Sequence, residues 1–416
     1  MKVVVVGLGY IGLPTALTFA KYGAEVLGVD TSIDVVNKLN KGITTIEEPG
    51  VGDILAEALK TNKFKSTTQP ENGDVFIISV PTPNNDDTYH SCDLTYVLNA
   101  IESIAPYIEE GNIIIVESTI SPRATIDQIK PVIEKNGFIV GENIYLAHCP
   151  ERVLPGAIFH ELVYNNRIIG GVTELCSQKA MEVYSLFVKG EIFQTNSNVA
   201  EVSKLIENTY RDVNIAFANE IVKVCNYLEI NALQTIELAN KHPRVNIHQP
   251  GPGVGGHCLA VDPYFLGAAA PVESQIIQLA RKINSDMPKY VVQHVQRLMV
   301  YATTNKITVL GQTYKGNIDD VRESPAIEIT NLLSDIGYEV EIFDPYVSKV
   351  STPEAELCKD SSLILVLTDH KEFKIIPDNY TDRMKRKMIF DTKNIVQQIS
   401  EKVNLLTFDN IFTFSE

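Results

Sequence analysis

Three closely spaced glycines, Gly7, Gly9 and Gly12, stand where an apolar run near the start of the chain ends. That run covers residues 3–6 and is typical of a buried strand, and apolar side chains at helical spacing follow over residues 14–22. In such a unit the first glycine permits a tight turn, and the second lets the backbone approach a pyrophosphate. The third lets the helix pack closely on the strand, with its N-terminus facing the phosphate charge. The segment therefore predicts the first unit of a doubly wound α/β fold that binds a dinucleotide.

An acidic residue completes this pattern. A second apolar run over residues 24–30 ends in Asp30, eighteen residues after Gly12. An acid at that position accepts hydrogen bonds from the ribose hydroxyls of the nucleotide. Because an acid rather than an arginine stands there, the sequence predicts NAD rather than NADP as the cofactor.

Length, charge and cysteine usage narrow the class of protein. A chain of 416 residues is too long for one core and predicts two or three domains. Its 36 basic and 52 acidic side chains give a formal charge of −16, which opposes nonspecific binding to nucleic acid or anionic lipid. The six cysteines include no CxxC pair, so we expect neither a metal site nor a disulfide framework, and a reducing cytoplasm fits best. No apolar run is long enough to span a membrane, and we expect no membrane insertion.

Polar residues follow two further predicted strands. Apolar runs over residues 74–80 and 113–116 each end in a short polar segment, with Thr82 after the first and Thr119 after the second. In a doubly wound sheet the ligand crevice lies beyond the carboxyl ends of the strands, so both threonines could touch the nicotinamide half of the cofactor. Ordinary hydrogen bonding at the strand ends is an equally good interpretation.

A charged loop and a long helix come next. Residues 144–146 lead into a loop over residues 148–156, whose many polar groups make it a plausible wall of the site. From residue 196 to 228 apolar side chains recur at helical spacing, which predicts one long helix able to link two domains and to carry a dimer contact.

Three polar residues share one face of this helix. Lys204, Asn208 and Arg211 stand at positions i, i+4 and i+7. A solvated polar face is the interpretation that the spacing alone favours. An asparagine between two cations forms no charge pair, however, so the stripe could equally serve a ligand.

A second α/β pattern begins after residue 303. Its first turn, over residues 311–316, lacks the middle glycine of the dinucleotide pattern, so this half is expected to hold another phosphate compound. Lys315, Arg322 and Lys393 are its candidate phosphate-binding cations, although solvated lysines and arginines are commoner. The predicted strands of this half cover residues 306–310, 338–343, 362–368 and 387–390.

Residues 251–258 form a loop with four glycines that ends in a cysteine. So much glycine is poorly suited to a core and typical of backbone that wraps a ligand. Cys258 is the candidate nucleophile, because a thiol adds to an aldehyde and holds the carbon for a second oxidation, after which water cleaves the thioester. We interpret the neighbouring His257 as a packed loop histidine rather than a catalytic base.

Several segments taken together are more specific than any one of them. They are GLGYIGLP from Gly7, VPTP from Val80, ESTI from Glu117, CPERVLPG from Cys149, KLIENTYRDVNIAFANE from Lys204, HPRVNIHQPGPGVGGHCLAVDPYF from His242 and GQTYKGNIDDVRESPA from Gly311. Through them the chain resembles the UDP-glucose/UDP-N-acetylmannosamine 6-dehydrogenase family over essentially its full length. The PERVLPG segment looks like the branch that oxidises UDP-N-acetyl-D-mannosamine. Pro155 stands where the UDP-glucose branch carries a second acid, so that cofactor contact does not carry over.

The resemblance implies a fold and a reaction. Two Rossmann-like domains, residues 1–195 for NAD and 303–416 for the UDP-sugar, flank a helical dimerisation domain over residues 196–302. The implied reaction is a four-electron oxidation of C6 of the sugar to a carboxylate, with two NAD per turnover. Cys258 is the implied nucleophile, and Lys204 is the acid/base or oxyanion-stabilising group beside Asn208 and Asp262.

The resemblance also implies binding residues. For the cofactor these are Gly7, Gly9, Tyr10, Ile11, Gly12, Asp30, Thr82, Thr119 and Arg322. For the UDP-sugar they are Glu151, Arg152, Val153, Lys204, Asn208, Arg211, His242, Arg244, Gly255, Tyr314, Lys315 and Lys393. In the family the segment around Arg244 approaches the site of a partner subunit, so a homodimer or larger homo-oligomer is expected.

Other functions stay open at this point. The same chemistry could act on UDP-N-acetylglucosamine or UDP-glucose, and the product could supply a surface polysaccharide or capsule. A non-catalytic nucleotide-binding protein would not need Cys258, Lys204, Asn208 and Asp262 together. A two-electron alcohol dehydrogenase would not need the cysteine.

Overall fold

The computed structural model describes residues 1–154, 156–347, 354–397 and 402–414 of the chain. It divides into two compact units, the first formed by Met1–Glu207 with Tyr264–Pro271 and the second by Asn208–Pro263 with Val272–Glu416. The three-domain division expected from the sequence stays a prediction. Pro155, singled out above, lies outside the described residues.

The first unit contains an eight-stranded sheet with the order β3-β2-β1-β4-β5-β6-β7-β8. Neighbouring strands run parallel except β6 and β7, which are antiparallel. The expected doubly wound arrangement is confirmed. The strands are β1 Lys2–Val6, β2 Glu25–Val29, β3 Phe64–Thr67, β4 Val75–Ile78, β5 Ile113–Val116, β6 Tyr145–His148, β7 Arg167–Gly171 and β8 Ile192–Asn196.

Alternation along the central strands divides the core of this unit between the two faces of the sheet. Val3 and Val5 of β1 pack into one apolar cluster, whereas Val4 and Val6 pack into another. Successive side chains of a strand point to opposite faces, so a run of valines serves a sheet that is covered on both sides. The helices of this part of the chain are α1 Gly12–Lys21, α2 Ile33–Asn40, α3 Val51–Lys60, α4 Thr95–Ile104, α5 Lys130–Glu134, α6 Ile158–Tyr164 and α7 Glu174–Tyr184.

The long helix predicted over residues 196–228 is confirmed as α8, Ser197–Tyr227. Further helices are α9 Ala232–Ala239, α10 Asp262–Ala269, α11 Gln275–Ser285, α12 Met287–Met299, α13 Pro325–Asp335, α14 Glu354–Leu357 and α15 Asp378–Thr381. None of the helices in the described ranges combines the length and apolar character that crossing a membrane requires.

The second unit contains a five-stranded parallel sheet with the order β10-β9-β11-β12-β13. Its strands are β9 Lys306–Leu310, β10 Glu339–Phe343, β11 Leu363–Val366, β12 Met388–Asp391 and β13 Asn404–Thr407. Four of these lie where the sequence predicts them.

The strands that sequence analysis missed have a common cause. β3, β8 and β13 lie at the edges of their sheets. An edge strand is covered less completely than a central one, so its sequence includes polar residues, such as the FKST of β3, and lacks the apolar run that identifies a buried strand. β7, with the short sequence RIIGG, was also missed although it lies inside the sheet.

Candidate active site

The turn between β1 and α1 has the geometry that its glycines predict. Gly7 has a φ of +94°, and a Cβ there would lie 2.2 Å from the carbonyl oxygen of Ser79. A Cβ on Gly12 would lie 1.9 Å from the carbonyl oxygen of Gly7, so the close packing of helix on strand excludes any side chain. Within the described residues, no atom comes within 4 Å of a Cβ built on Gly9. The space beside Gly9 therefore fits the approach of a pyrophosphate.

Asp30 lies directly after β2 and supports this turn. Its Oδ2 accepts a hydrogen bond from the amide of Leu8 at 3.0 Å, and its Oδ1 accepts one from the amide of Ser32 at 2.9 Å. Among the residues that the structure describes, no side chain caps the N-terminus of α1 at Ile11, and Tyr10 beside it is exposed. An acid at the end of β2 and an uncapped helix N-terminus fit a dinucleotide.

The two candidate threonines follow adjacent parallel strands. β4 pairs with β5, and the Ser118 hydroxyl accepts a hydrogen bond from the amide of Val80 at 2.9 Å and donates one to its carbonyl at 2.7 Å. The structure therefore brings Thr82, which is buried, and Thr119, which is half-buried, to the same edge of the sheet.

The loop after β6 is held by charged side chains. Arg167 of β7 contacts Glu151, with 2.6 Å between its Nη2 and the Glu151 Oε2. Arg152 pairs with Glu207 at 2.7 Å between Nη1 and Oε1 and donates a second hydrogen bond to the carbonyl of Asn166. Glu151 and Arg152, both expected to bind substrate, are thus already engaged by protein groups, and Val153 packs against the core.

Arg167 also belongs to a buried polar cluster that sequence reasoning missed. The carboxylate of Glu117 accepts hydrogen bonds from the Tyr184 hydroxyl at 2.7 Å and the Thr15 hydroxyl at 3.1 Å. Burial raises the pKa of Glu117 to about 7, with Arg167 opposing that shift. No local pattern marks these residues, which are distant from one another in the chain.

The polar stripe on α8 is buried in part. Lys204 and Asn208 are each 7% exposed, so the solvated-face interpretation is wrong for both, whereas Arg211 is exposed as that interpretation predicts. The Nδ2 of Asn208 donates a hydrogen bond of 2.6 Å to the Oδ2 of Asp262, the first residue of α10. Two residues expected to act together are therefore in direct contact.

Cys258 is exposed and lies one turn before α10. Its carbonyl oxygen accepts hydrogen bonds from the amides of Val261 at 3.1 Å and Asp262 at 2.8 Å. These bonds fix the backbone of the cysteine to the start of the helix that carries Asp262.

The glycine-rich loop before Cys258 packs closely on the segment that follows β9. A Cβ on Gly255 would lie 2.3 Å from the carbonyl oxygen of Glu323 and 2.8 Å from the Cβ of Tyr314. The amide of Gly256 donates a hydrogen bond of 3.0 Å to the carbonyl of Arg322. Glycine is needed here for contact with the protein itself, a reason that the sequence did not reveal.

Charged groups surround this packed segment. Burial raises the pKa of Tyr314, and the nearby Asp320 and Cys258 raise it further. Arg322 forms a two-pronged ion pair with Asp320, with 2.7 Å between Nη2 and Oδ2. His257 is exposed, so the expectation of a packed histidine is wrong. Partial desolvation of its ring and the nearby charge of Arg322 lower the pKa of His257, which favours its neutral form.

Two candidate lysines lie at the carboxyl edge of the second sheet. Lys315 is exposed in the turn after β9. Lys393 follows β12, with its Nζ 3.9 Å from the Oδ1 of Asp369 and 3.6 Å from a Cβ built on Gly251. Ligand chemistry in doubly wound folds belongs at this edge. His242 and Arg244 are exposed elsewhere in the second unit.

The candidates therefore divide between the units. The first unit holds the glycine turn, Asp30, Thr82, Thr119, Glu151, Arg152, Val153 and Lys204, and the second holds Asn208, Arg211, His242, Arg244, Gly255, Cys258, Asp262, Tyr314, Lys315, Arg322 and Lys393. No group of three histidine, cysteine or acidic side chains in the described ranges is arranged to hold a metal ion.

Comparison with known proteins gives matches along the chain. Models of the UDP-glucose/GDP-mannose dehydrogenase family match residues 1–188 as the NAD binding domain, 198–286 as the central domain and 308–398 as the UDP binding domain. A solved structure of the UDP-N-acetyl-mannosamine dehydrogenase Cap5O from Staphylococcus aureus is 55% identical, with a TM-score of 0.94 and 100% of both chains covered.

Two further relatives extend this result. The UDP-N-acetyl-D-mannosamine dehydrogenase of Methanococcus maripaludis is 45% identical over 407 residues, which cover 95% of this chain and 93% of that protein. The NDP-N-acetyl-D-galactosaminuronic acid dehydrogenase of Ralstonia nicotianae is 41% identical, with 94% and 95% covered.

Proposed function

Because this chain belongs to the UDP-glucose/GDP-mannose dehydrogenase family and is an NAD-dependent oxidoreductase of it, we propose that it oxidises C6 of UDP-N-acetyl-D-mannosamine to the uronate. Identity of 55% to a protein named for that substrate supports this choice among UDP-sugars. The observation that carries the chemistry is the exposed Cys258 thiol, one turn before an Asp262 carboxylate that is bound by Asn208. A reactive cysteine in this position suits an oxidation that continues past the aldehyde.

The cofactor is assigned to the first domain, residues 1–195. Gly7, Gly9, Tyr10, Ile11, Gly12 and Asp30 would hold its adenosine and pyrophosphate half, and Thr82 and Thr119 its nicotinamide half. Arg322 is proposed as a further contact. When bound, NAD supplies an acceptor for the hydrides that C6 loses.

The remaining chemistry belongs to side chains of this protein. Lys204, directly or through a water molecule near Asp262, takes the proton of the C6 hydroxyl. The Cys258 thiolate then adds to the aldehyde carbon and retains it as a hemithioacetal. Lys204 and the amide of Asn208 stabilise the oxyanion on that carbon during the second oxidation. Water hydrolyses the resulting thioester, which releases the carboxylate and restores the thiol.

The UDP-sugar is assigned to residues 303–416 together with the loop after β6 and the central segment. A diphosphate needs local cations, because the formal charge of −16 repels anions. The proposed binding residues are Glu151, Arg152, Val153, Lys204, Asn208, Arg211, His242, Arg244, Gly255, Tyr314, Lys315 and Lys393.

We place the enzyme in the cytoplasm, as a homodimer or larger homo-oligomer that supplies a uronic acid for a surface polysaccharide or capsule. The exposure of Arg244 in the single chain is compatible with a contact to the site of a second subunit. Residues 196–302 would carry the association.

A panel of UDP-hexoses with NAD tests this function. We expect two NADH per sugar with UDP-N-acetyl-D-mannosamine. We expect a kcat/KM lower by roughly 10²-fold with UDP-N-acetylglucosamine, whose C2 acetamide has the other configuration, and with UDP-glucose, which has a C2 hydroxyl instead, because either change leaves polar groups of the pocket unpaired. One NADH per sugar would contradict the four-electron reaction. A kcat/KM for UDP-N-acetylglucosamine equal to that for UDP-N-acetyl-D-mannosamine would contradict the proposed preference for the mannosamine substrate.

A further inference from the structure

A buried polar network touches both ends of the loop that carries Cys258. Asp212 and Asn219 stand seven residues apart on α8, and Arg281 and Asn284 three apart on α11, so each pair shares a helix face. The four side chains, which we call the anchor network, are between 0% and 5% exposed. Polar groups buried to this extent are costly unless they bond to one another or to the backbone.

Short hydrogen bonds connect the two helices through this network. The Nη1 of Arg281 lies 2.6 Å from the Oδ1 of Asp212, and the Nδ2 of Asn284 donates to the same oxygen at 2.8 Å. The Nδ2 of Asn219 donates to the Oδ1 of Asn284 at 2.9 Å. Burial raises the pKa of Asp212, and Arg281 opposes that shift.

The same network bonds at two points to the segment around residues 251–258, the loop that ends in Cys258. The Oδ1 of Asn219 accepts a hydrogen bond of 2.9 Å from the amide of Gly251, the first residue of the loop. The Nη1 of Arg281 lies 3.4 Å from the carbonyl oxygen of Leu259, the residue directly after Cys258. Residues 251–258 are therefore held at their start and just past their end.

We propose that the anchor network positions the Cys258 thiol for reaction by holding both ends of this loop, an inference that rests on the proposed function. Four of the eight loop residues are glycine, so the loop has many alternative conformations that fixed ends exclude. Helix packing alone does not need these polar groups, because apolar residues of similar volume usually pack buried helices at least as well as a buried ion pair. With the bond from Asn208 to Asp262, α8 fixes the segment on both sides of the cysteine.

The test compares two asparagines of the same helix. Asn219→Ser removes the bonds to Gly251 and Asn284, whereas Asn226→Ser removes a bond of 3.0 Å to the Tyr290 hydroxyl, which does not involve the loop. On the full-length protein we would measure hydrogen exchange of the amides over residues 251–263, the thermal midpoint, and kcat and KM for UDP-N-acetyl-D-mannosamine and NAD. Asn226→Ser controls for a lost hydrogen bond on α8.

We expect Asn219→Ser to speed exchange in the loop by roughly tenfold, as the loss of a backbone anchor predicts. We expect kcat to fall by roughly 10- to 100-fold with the KM for NAD unchanged, because small misplacements of a reacting group have effects of that size. Asn226→Ser should change neither the exchange of the loop nor kcat, even if it lowers the thermal midpoint as much as Asn219→Ser does. Equal effects of the two variants on the loop, or none from Asn219→Ser, would overturn the proposal.

A second variant keeps the proposal testable if Asn219→Ser fails to fold. Arg281→Lys keeps a cation opposite Asp212 but removes the guanidinium fork that reaches the Leu259 carbonyl. Exchange should therefore rise at the amides of Val261 and Asp262, which bond to the Cys258 carbonyl, more than at the amide of Gly251. Unchanged exchange at Val261 and Asp262 would count against the proposal. Hydrogen exchange is measured without turnover, so it tests the anchoring independently of the proposed function. If the loop loosens as expected but the parent protein oxidises no UDP-hexose, the proposed function is wrong while the anchoring by the network is supported.

Discussion

At the scale of single residues, environment distinguishes the cysteines. Of the six, all within the described ranges, Cys258 alone is exposed. Cys149 is fully buried, and burial raises the pKa of its thiol to about 11, despite the opposing charge of Arg167. A group that stays protonated and inaccessible cannot serve as a nucleophile. Position in the fold therefore excludes Cys149 as a nucleophile and leaves Cys258 as the candidate.

Cys258→Ala should abolish uronate formation, with a loss of at least roughly 10³-fold, because no other group of the site can form the thioester. Binding of the UDP-sugar, measured by calorimetry, should survive, because the substitution removes none of the cations that we propose bind the diphosphate. Cys225→Ala, at a buried cysteine outside the site, is the matched control. Undiminished uronate from Cys258→Ala would refute the covalent route.

His148 leads to a prediction about pH and stability. The side chain is fully buried, and burial, reinforced by the charge of Lys204, lowers its pKa from 6.5 to about 3. Between these values the unfolded chain binds a proton that the folded chain does not, so acid favours unfolding. Each unit of pH within this window costs about 1.4 kcal/mol of the free energy of unfolding.

Replacing this histidine should weaken the dependence of stability on pH. In His148→Leu the free energy of unfolding, measured with urea, should fall less between about pH 7.5 and about pH 5 than in the parent protein. His160→Leu, at an exposed histidine, should retain the parent slope. Identical slopes in the parent and His148→Leu would show that His148 does not carry this effect.

At the scale of elements, the β1–α1 turn contains glycines that folding requires and one, Gly9, for which we propose a role in binding. A side chain on Gly12 would collide with the carbonyl of Gly7 at 1.9 Å, whereas one on Gly9 meets no described atom within 4 Å. Gly9→Ala should therefore fold normally and weaken NAD binding by tenfold or more, because the methyl group occupies space needed by the pyrophosphate. Gly12→Ala should lower the thermal midpoint itself.

Fluorescence titration with NADH and thermal unfolding distinguish these effects. Gly52→Ala on α3, where the nearest atom lies 4.0 Å from the new Cβ, is the control for replacing a helical glycine. An NAD affinity of Gly9→Ala equal to that of the control would place the pyrophosphate elsewhere.

At the scale of the whole molecule, α8 presents an apolar stripe to solvent. Its members recur at intervals of seven, four, seven and seven residues and are between 46% and 56% exposed, which places them along one helix face. A contiguous apolar face of this kind is typical of an association surface. The members are Val199, Ile206, Tyr210, Phe217 and Val224.

Sedimentation should show a mass of at least about twice the 46.1 kDa of one chain. Phe217→Asp should weaken association by roughly 30-fold or more, because it places a charge in the centre of the apolar stripe. Ile33→Asp, at an exposed apolar residue of α2 rather than α8, should leave association unchanged. A parent protein that stays monomeric at micromolar concentration would exclude this role for the stripe.

Local requirements were readable in the sequence. Each of three features depends on residues that are neighbours in the chain: the turn that begins at Gly7, the central strands and α8. A positive φ requires glycine at one position, and periodic burial requires apolar residues at a regular spacing, so both can be recognised from a short segment of sequence. Asp30 could be placed because its distance from the turn is set by one strand, turn and helix unit. These features determined the doubly wound fold and the residues that we propose bind NAD.

Contacts between distant side chains were decided by the tertiary structure alone. The pairing of Arg167 with Glu151, of Asn208 with Asp262 and of Asn219 with Gly251 joins residues 16, 54 and 32 positions apart. Whether a polar side chain on a helix meets water or another polar group depends on which element packs over it. Periodicity identifies a polar face but not the element that covers it, so sequence spacing gave the candidates while packing fixed which of them are buried and bonded.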